Sequence, residues 1–541
     1  MKLERAYYPA DTSSPVLEST VGSALREAAE RTPDAAAMVE GVPGPVLDRR
    51  RWTNAELLAE AEAVAASLLG RFEPGERVAA WAPNIPEWVL LEFGAALAGV
   101  VLVTVNPAYR PSELAYVLRQ SGASGIFLVP EFRSPMARYL DEVRGELPNL
   151  REAVLFPGGA GVAPGMTEWK EFVASGSPLE KLPDVAPLDP AQIQYTSGTT
   201  GFPKGALLHH RGITNNARLY GERLGMGPGD VYVNPMPLFH TAGCVMGVLS
   251  CLQTGAVHVP VPFFDPAAVL ELIESERGTV MLGVPTMLIA ILEHPDFPNR
   301  DLSGVRTIIS GGSVVPPELV RRVEDALGVP FTIVFGTTEC SPLLTQTAFD
   351  DDPADRATTL GRPLPQTEVQ VVDPGTGEVS AVGEVGELCC RGYLVMTGYY
   401  DMPEATAGAI DADGWYHTGD LASMDGRGYV RIEGRLKDMI IRGGENIYPR
   451  EIEDVLFKHP AVAECAVVGI PDERWGEVVA AFVRVAPGAE QPAETELFAL
   501  CREHLAPHKT PVHWVFLDAF PLTGSGKIQK YVLREGFNRP T

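Results

Sequence analysis

The stretch Tyr195–Ala206, YTSGTTGFPKGA, gathers four hydroxyl residues, three glycines and one lysine within a dozen positions. Backbone N–H groups opened by glycine, the hydroxyls of Thr196, Ser197, Thr199 and Thr200, and the Lys204 ammonium together suit the oxygens of a polyphosphate. The pattern is not a P-loop. Pro203 precedes the lysine, Gly205 follows it, and the next apolar run reads as a strand where a P-loop requires a helix. A Gly/Thr surface turn has the same composition, so other residues must separate the two readings.

Composition sets the terms on which those residues act. A chain of 541 residues with a formal charge of −26 is too long for one core, and its acidity argues against nucleic acid or an anionic membrane surface as a partner. A polyanionic ligand must therefore be met by local lysines and arginines. The opening MKLERAYYPADTSS lacks the apolar segment of a secretory signal, which points to the cytoplasm. Phe93 to Val105 is uncharged but too short to span a bilayer, and the segment 234 to 264 is interrupted by His240, Gln253, His258 and prolines, so both read as core and no membrane span is expected. Seven cysteines form an odd, scattered set that fits reduced thiols, and the adjacent Cys389 and Cys390 should point to opposite faces of a strand instead of sharing a metal.

Helical and strand patterns alternate through the first two thirds of the chain. LLAEAEAVAASLLGRF has helical periodicity, VRTIIS reads as a buried strand, and PPELVRRVEDALG is a helix opened by proline and closed by glycine. Repeated strand–helix units predict an α/β fold with largely parallel sheets flanked by helices. From about Gln366 the texture changes to VQVVDPGTGE, VGELCCRG, GWYHTGD and GYVRIEG, which predicts a β-rich subdomain over about 366–435. After GRLKD a compact mixed segment follows, with a helix begun at Pro449 and strands in AECAVVGIP and VVAAFVRV. No internal repeat supports a solenoid.

YTSGTTGFPKGA, FGTTE at 335 to 339, GWYHTGD at 414 to 420, GRLKDMIIRGGENIYPREIE from Gly434 to Glu453 and PLTGSGKIQK from Pro521 to Lys530 occur together and in that order. With these five motifs the chain resembles the adenylate-forming enzymes, in the acyl-CoA synthetase branch, over nearly its whole length. The resemblance implies an AMP-binding N-terminal domain over 1–435 whose β-rich part is a distorted barrel, and a small mobile α+β domain over 436–541. It also implies the chemistry: a carboxylic acid attacks the α-phosphate of ATP to give an acyl-adenylate and pyrophosphate, and the thiol of coenzyme A then displaces AMP.

By that resemblance Thr196, Ser197, Gly198, Thr199, Thr200, Gly201 and Lys204 hold the β and γ phosphates, and Glu339 is the carboxylate partner of Mg²⁺, an ion that brings its own waters and needs few protein ligands. Phe335, Gly336, Thr337 and Thr338 with Gly311 and Gly312 belong to the nucleotide site. Asp420 takes the ribose hydroxyls, and Arg435 contacts phosphate and ribose. Lys527 neutralises the attacking carboxylate and the α-phosphate as charge develops. Lys437 falls at the hinge of a domain rotation that withdraws Lys527 and presents Gly443 and Gly444 to the pantetheine arm, with Trp475 near the nucleotide of CoA. His240 gates an acyl pocket built from 234 to 244, including Gly243, from SGGSVVP at 310 to 316, including Gly311, and from the residues before FGTTE. These residues are small or apolar and carry no Asp/Lys pair for a substrate ammonium, which favours a hydrophobic acid: medium-chain, cyclic or aryl.

Three positions depart from the family pattern. His209 stands where Ser or Thr is usual and is expected to disturb phosphate placement. HKTPVH is less basic than the equivalent segment of some CoA ligases, and Cys340 follows FGTTE where Thr, Ser or Asn is more frequent. His209 motivates a second reading, an enzyme that only thioesterifies a preformed adenylate. A loader of a carrier-protein thiol is a third, disfavoured because the chain is acidic like the carriers themselves. A non-enzymatic adenylate sensor is opposed by Lys527. The sequence leaves a homodimer open.

Overall fold

The structure is a computed structural model that describes residues 2–158, 165–177, 181–196, 203–522 and 528–537. Among them, continuous apolar runs make two large sheets. In the eight-stranded sheet, Arg77–Trp81, Val101–Thr104, Gly125–Leu128, Glu152–Leu155, Thr167–Glu168 and Pro190–Thr196 run parallel, and Lys204–His209 and Gly398–Tyr399 close one edge antiparallel. In the nine-stranded sheet the parallel block comprises Ala36–Val39, Val257–Pro260, Val231–Asn234, Val280–Leu282, Thr307–Gly311 and Phe331–Gly336. Strands such as Val101–Thr104 and Gly125–Leu128 are buried along their whole length, as parallel strands covered on both faces must be.

The predicted helices form where their end signals lie. Thr53 and Glu56 make a reciprocal capping box that starts Asn54–Leu69. Pro317 opens the helix Pro317–Leu327, and Gly328 ends it. The uncharged stretch Phe93 to Val105 is the end of the buried helix Pro86–Ala98 followed by the strand Val101–Thr104. No helix among the described residues is long and apolar enough to cross a membrane.

The β-rich region is a five-stranded antiparallel sheet in the order Tyr7–Tyr8, Thr367–Val372, Gly386–Gly392, Tyr416–Met424, Val430–Arg435. The barrel that the resemblance implies is, in the described residues, an open sheet: a two-residue strand from near the N-terminus ends the order on one side, and no pairing joins it to Val430–Arg435. From Ile440 onward a fourth sheet of five strands carries the helices Pro449–Leu456, Glu494–His504 and Lys530–Phe537. Alternation along Val462–Asp472 divides its apolar residues, with Cys465 and Val467 in one small core and Ala466, Val468 and Ile470 in another.

One consequence of this topology positions the site. Val231–Asn234, Thr307–Gly311 and Phe331–Gly336 are parallel, so their carboxyl ends deliver the 234 to 243 segment, Gly311–Gly312 and Thr337–Glu339 to the same edge of the nine-stranded sheet. That edge is where open α/β sheets bind ligands.

Candidate active site

Thr196 and Lys204 face each other across antiparallel strands, and the Thr196 hydroxyl donates to the Lys204 carbonyl at 3.4 Å. The connection they bracket therefore leads from strand to strand, not into a helix. Ser197, Gly198, Thr199, Thr200, Gly201 and Lys527 lie outside the described residues.

Beside Lys204 stands a residue that spacing does not single out. The two-residue strand Gly398–Tyr399 pairs with Lys204–His209, Ala206 opposite Tyr399, and sets the Lys204 ammonium 4.6 Å from the centre of the Tyr399 ring. The Tyr399 hydroxyl in turn donates to Oε1 of Glu339 at 2.7 Å, and the Met396 N–H donates to the Glu339 carbonyl at 2.8 Å. Burial first, and then the Glu339 carboxylate, push the Tyr399 phenol well above its ordinary range, so it stays a donor. Tyr416 is raised for the same two reasons in the same order, and it accepts from the Thr337 hydroxyl at 3.4 Å. One aromatic ring thus carries a cation on its face and a buried carboxylate at its hydroxyl.

Asp420 follows on the strand that begins with Tyr416. Its carboxylate is buried and accepts from Arg435 Nε at 2.9 Å, the two residues standing opposite each other in register. An irregularity in pairing prepares that position: Cys389 is opposite His417 but Glu387 is opposite Leu421, so the segment 418 to 420 bulges from the sheet. Gly419 supplies the left-handed turn, with φ of 69°. The site thus offers a cation, a carboxylate backed by a neutral phenol, and a second carboxylate fixed by a guanidinium. Those are the groups a nucleotide triphosphate with a divalent cation needs.

Residues 25–400 match the family model described as AMP-binding enzyme, and residues 451–527 match that of the AMP-binding enzyme C-terminal domain. The chain belongs to the AMP-binding enzyme family. Within it the chain falls in the acyl-CoA synthetase branch: it is 43% identical, over 96% of its length and 97% of the other's, to YngI of Bacillus subtilis, whose name makes it an acyl-CoA synthetase by inference. It is 39% identical to the mitochondrial medium-chain acyl-CoA ligase ACSF2 of Rattus norvegicus, covering 98% of this chain and 89% of that one. The fold is similar to the anthranilate CoA ligase AuaEII in complex with anthranoyl-AMP, with a TM-score of 0.88 at 28% identity over 97% of this chain and 98% of that one.

In this AMP-binding enzyme the segment that bears Arg442, Gly443 and Gly444 is a two-glycine hairpin turn against Trp475. Gly443 and Gly444 have φ of 61° and 90°, and Gly443 N–H donates to the Trp475 carbonyl at 2.7 Å. Trp475 is 41% exposed and lies beneath the Arg442 and Arg474 guanidinium groups at 5.4 and 4.9 Å, which makes the surface beside the turn cationic. Lys437 is exposed in the short 3₁₀ turn Leu436–Asp438 between the third sheet and the fourth.

Other expected residues sit where packing already explains their type. A Cβ on Gly243 would lie 2.1 Å from the Pro237 carbonyl oxygen, and one on Gly311 would lie 2.2 Å from that of Val334. Gly336 is similarly closed in by Pro342 O at 2.0 Å. His240 is half-buried and caps Thr241–Gly243, its Nδ1 accepting from Ala242 N–H at 3.4 Å. Phe335 is partly buried against the main core, and Thr338 is buried in the turn before Glu339. Cys340 is also buried, 3.4 Å from Cys390.

His209 needs correction. It is the N-cap of the helix His210–Arg223, with Nδ1 accepting from Gly212 N–H at 2.8 Å, which is the work a Ser or Thr hydroxyl does at that position. Five steps of extended strand, about 16 Å, separate it from Lys204, so the two residues stand at opposite ends of that strand. Burial, then Arg211, lower its pKa and keep it the neutral acceptor that the cap requires. Tyr399 and Tyr416 are the residues that sequence reasoning missed. Tyr416 lies inside the GWYHTGD motif, whereas Tyr399 carries no local signal.

Proposed function

We propose that this AMP-binding enzyme is an ATP-dependent, AMP-forming ligase that joins a hydrophobic carboxylic acid, of medium chain length or of similar cyclic or aryl size, to coenzyme A in two steps. A carboxylate oxygen attacks the α-phosphorus of ATP, the bond to the β-phosphate breaks, and pyrophosphate leaves. The CoA sulfur then attacks the acyl carbon, the carbon–oxygen bond to AMP breaks, and AMP leaves as the thioester forms. The observation that carries the reading is the Lys204–Tyr399–Glu339 constellation beside the Asp420–Arg435 pair.

In this reading Lys204 and the loop before it hold the β and γ phosphates, Asp420 accepts from the ribose hydroxyls, and Arg435 both fixes Asp420 and meets phosphate. Glu339 would suit Mg²⁺, a hard cation content with one carboxylate, phosphate oxygens and water, and Tyr399 fixes the carboxylate by donating to one oxygen. The ion would supply neutralisation of triphosphate charge. Lys527 completes adenylation, and rotation about Lys437 of a C-terminal domain beginning near residue 436 exchanges it for the Gly443–Gly444 turn and Trp475. The separate cores beyond Ile440 support that boundary. Seven free cysteines are in keeping with a reducing compartment such as the cytoplasm. The thioesterification-only reading loses its motive with His209 at the far end of its strand.

The test supplies aliphatic, aryl and polycyclic acids with ATP and Mg²⁺, follows pyrophosphate, then adds CoA and weighs the acyl-CoA by mass. Medium-chain or aryl acids are expected to give both products. Thioester from synthetic acyl-adenylates with no pyrophosphate from any acid would sink the proposal.

A further inference from the structure

Three chemically different donors meet on the face of the five-stranded sheet that turns away from the main core. Cys390 faces that core, whereas Cys389 packs with Val372 and Trp415 in a small separate cluster. Cys389 is directly opposite His417 on the neighbouring strand, and its Sγ lies 3.4 Å from His417 Nδ1. Glu387, two residues earlier and so on the same face, brings Oε2 to 2.8 Å from the same nitrogen. The three ligand atoms all lie within 4.8 Å of one another.

A tetrahedral zinc site with one sulfur, one nitrogen and one oxygen at ordinary bond lengths has edges of about 3.4–3.6 Å. The sulfur–nitrogen edge already has that length, and the oxygen–nitrogen edge needs to open by about half an ångström. Two contacts outside the trio aim the donors. His417 Nε2 is 3.5 Å from Asp411 Oδ2, the carboxylate on the second ring nitrogen that metal-bound histidines ordinarily have. Gly419 N–H donates to Glu387 Oε1 at 3.0 Å, which turns Oε2 toward the histidine. The His417 side chain is 33% exposed, so solvent reaches the fourth corner while the sulfur stays covered.

We propose that Cys389 Sγ, His417 Nδ1 and Glu387 Oε2 bind one zinc ion, with water as the fourth ligand. Sulfur selects a borderline-soft divalent ion over Mg²⁺ and Ca²⁺, and the Cys389 proton passes to solvent as the thiolate forms. The site is separate from the Glu339 carboxylate that serves the nucleotide. It braces the bulge 418 to 420 from behind, because Glu387 is tied both to His417 and to Gly419. A Glu387–His417 hydrogen bond beside the Asp411 carboxylate, with no metal affinity, is the competing account of the same contacts.

The test uses the full-length protein, kept reduced with a phosphine, stripped with a chelator and titrated without nucleotide. Cobalt(II) is expected to bind at one equivalent with a near-ultraviolet sulfur-to-cobalt charge-transfer band that zinc abolishes. Cys389→Ser should lose the band, and Asp411→Asn should weaken binding roughly tenfold or more. X-ray absorption of the zinc-loaded wild type, which depends on no variant folding, should find one sulfur among four ligands. Absence of the band in the wild type, its survival in Cys389→Ser, or a zinc shell with any other number of sulfurs overturns the site.

Discussion

At the scale of single residues, Tyr399 separates two interactions that can be removed independently. Tyr399→Phe keeps the ring beneath the Lys204 ammonium and deletes the hydroxyl that donates to buried Glu339. A hydrogen bond to a charged group contributes about 1.5–3 kcal/mol, so pyrophosphate formation should slow about tenfold to a hundredfold. Thioesterification of a supplied acyl-adenylate should stay near the wild-type rate, and equal losses in both half-reactions would refute the assignment of Glu339 to the first. Buried histidines make the second prediction. Burial lowers His210 to about 4 and His258 to about 3, and His210 Nδ1 accepts from Val21 N–H. Both are neutral in the native state but take up protons near pH 6.5 once unfolded, so the unfolded state binds more protons below that pH. Stability is therefore full above about pH 6.5 and falls as pH drops toward 4, by roughly 1.4 kcal/mol per pH unit for each histidine. Melting midpoints measured from pH 7.5 to 4.5 should decline below pH 6.5, and His258→Gln should make that decline shallower.

Secondary-structure elements decide what His209 does. Its position in LLHHRG suggests interference with phosphate, but the strand carries it to the far end and the following helix takes it as a cap. His209→Ser should therefore preserve both the melting midpoint and pyrophosphate release, since a serine hydroxyl caps the same N–H. His209→Ala should cost about 1 kcal/mol of stability and leave adenylation intact. Slowed adenylation in His209→Ser would return the residue to the phosphate site. The helix and strand boundaries themselves were legible where the signal is local. Pro317 before an amphipathic run, Thr53 with Glu56, and Pro449 before IEDVL each mark a helix start, because a cap or a fixed proline φ acts within one turn of chain.

Across the whole molecule the proposed function separates its two half-reactions by a rotation, and we propose Lys437 as the hinge. Lys437 is the second residue of the 3₁₀ turn Leu436–Asp438, a position whose backbone dihedrals suit proline. Lys437→Pro should therefore hold the conformation described and suppress movement to the other. One half-reaction should fall by at least tenfold with the other close to normal, measured as pyrophosphate release with acid and ATP and as thioester formation from acyl-adenylate and CoA. Normal rates in both would remove Lys437 from the hinge.

The sequence by itself determined what rests on short-range chemistry. Glycine and hydroxyl density between Thr196 and Lys204, the acidic residues in FGTTE and HTGD, the positive-φ glycines of RGGEN and the alternation of strand and helix periods all act over a few residues. The presence of a nucleotide-type site and an α/β frame follow from them. Tertiary structure alone decided which groups meet. Tyr399 reaches Lys204 and Glu339 because a two-residue strand pairs across a sheet edge, and no period encodes a partner nearly 200 residues away. The same holds for Gly243 and Gly311, whose close approach to the carbonyl oxygens of Pro237 and Val334 no spacing in the chain shows. Sequence spacing specifies which way a side chain faces on its own element. What it then touches depends on the pairing of elements brought together by burial of apolar surface from distant parts of the chain.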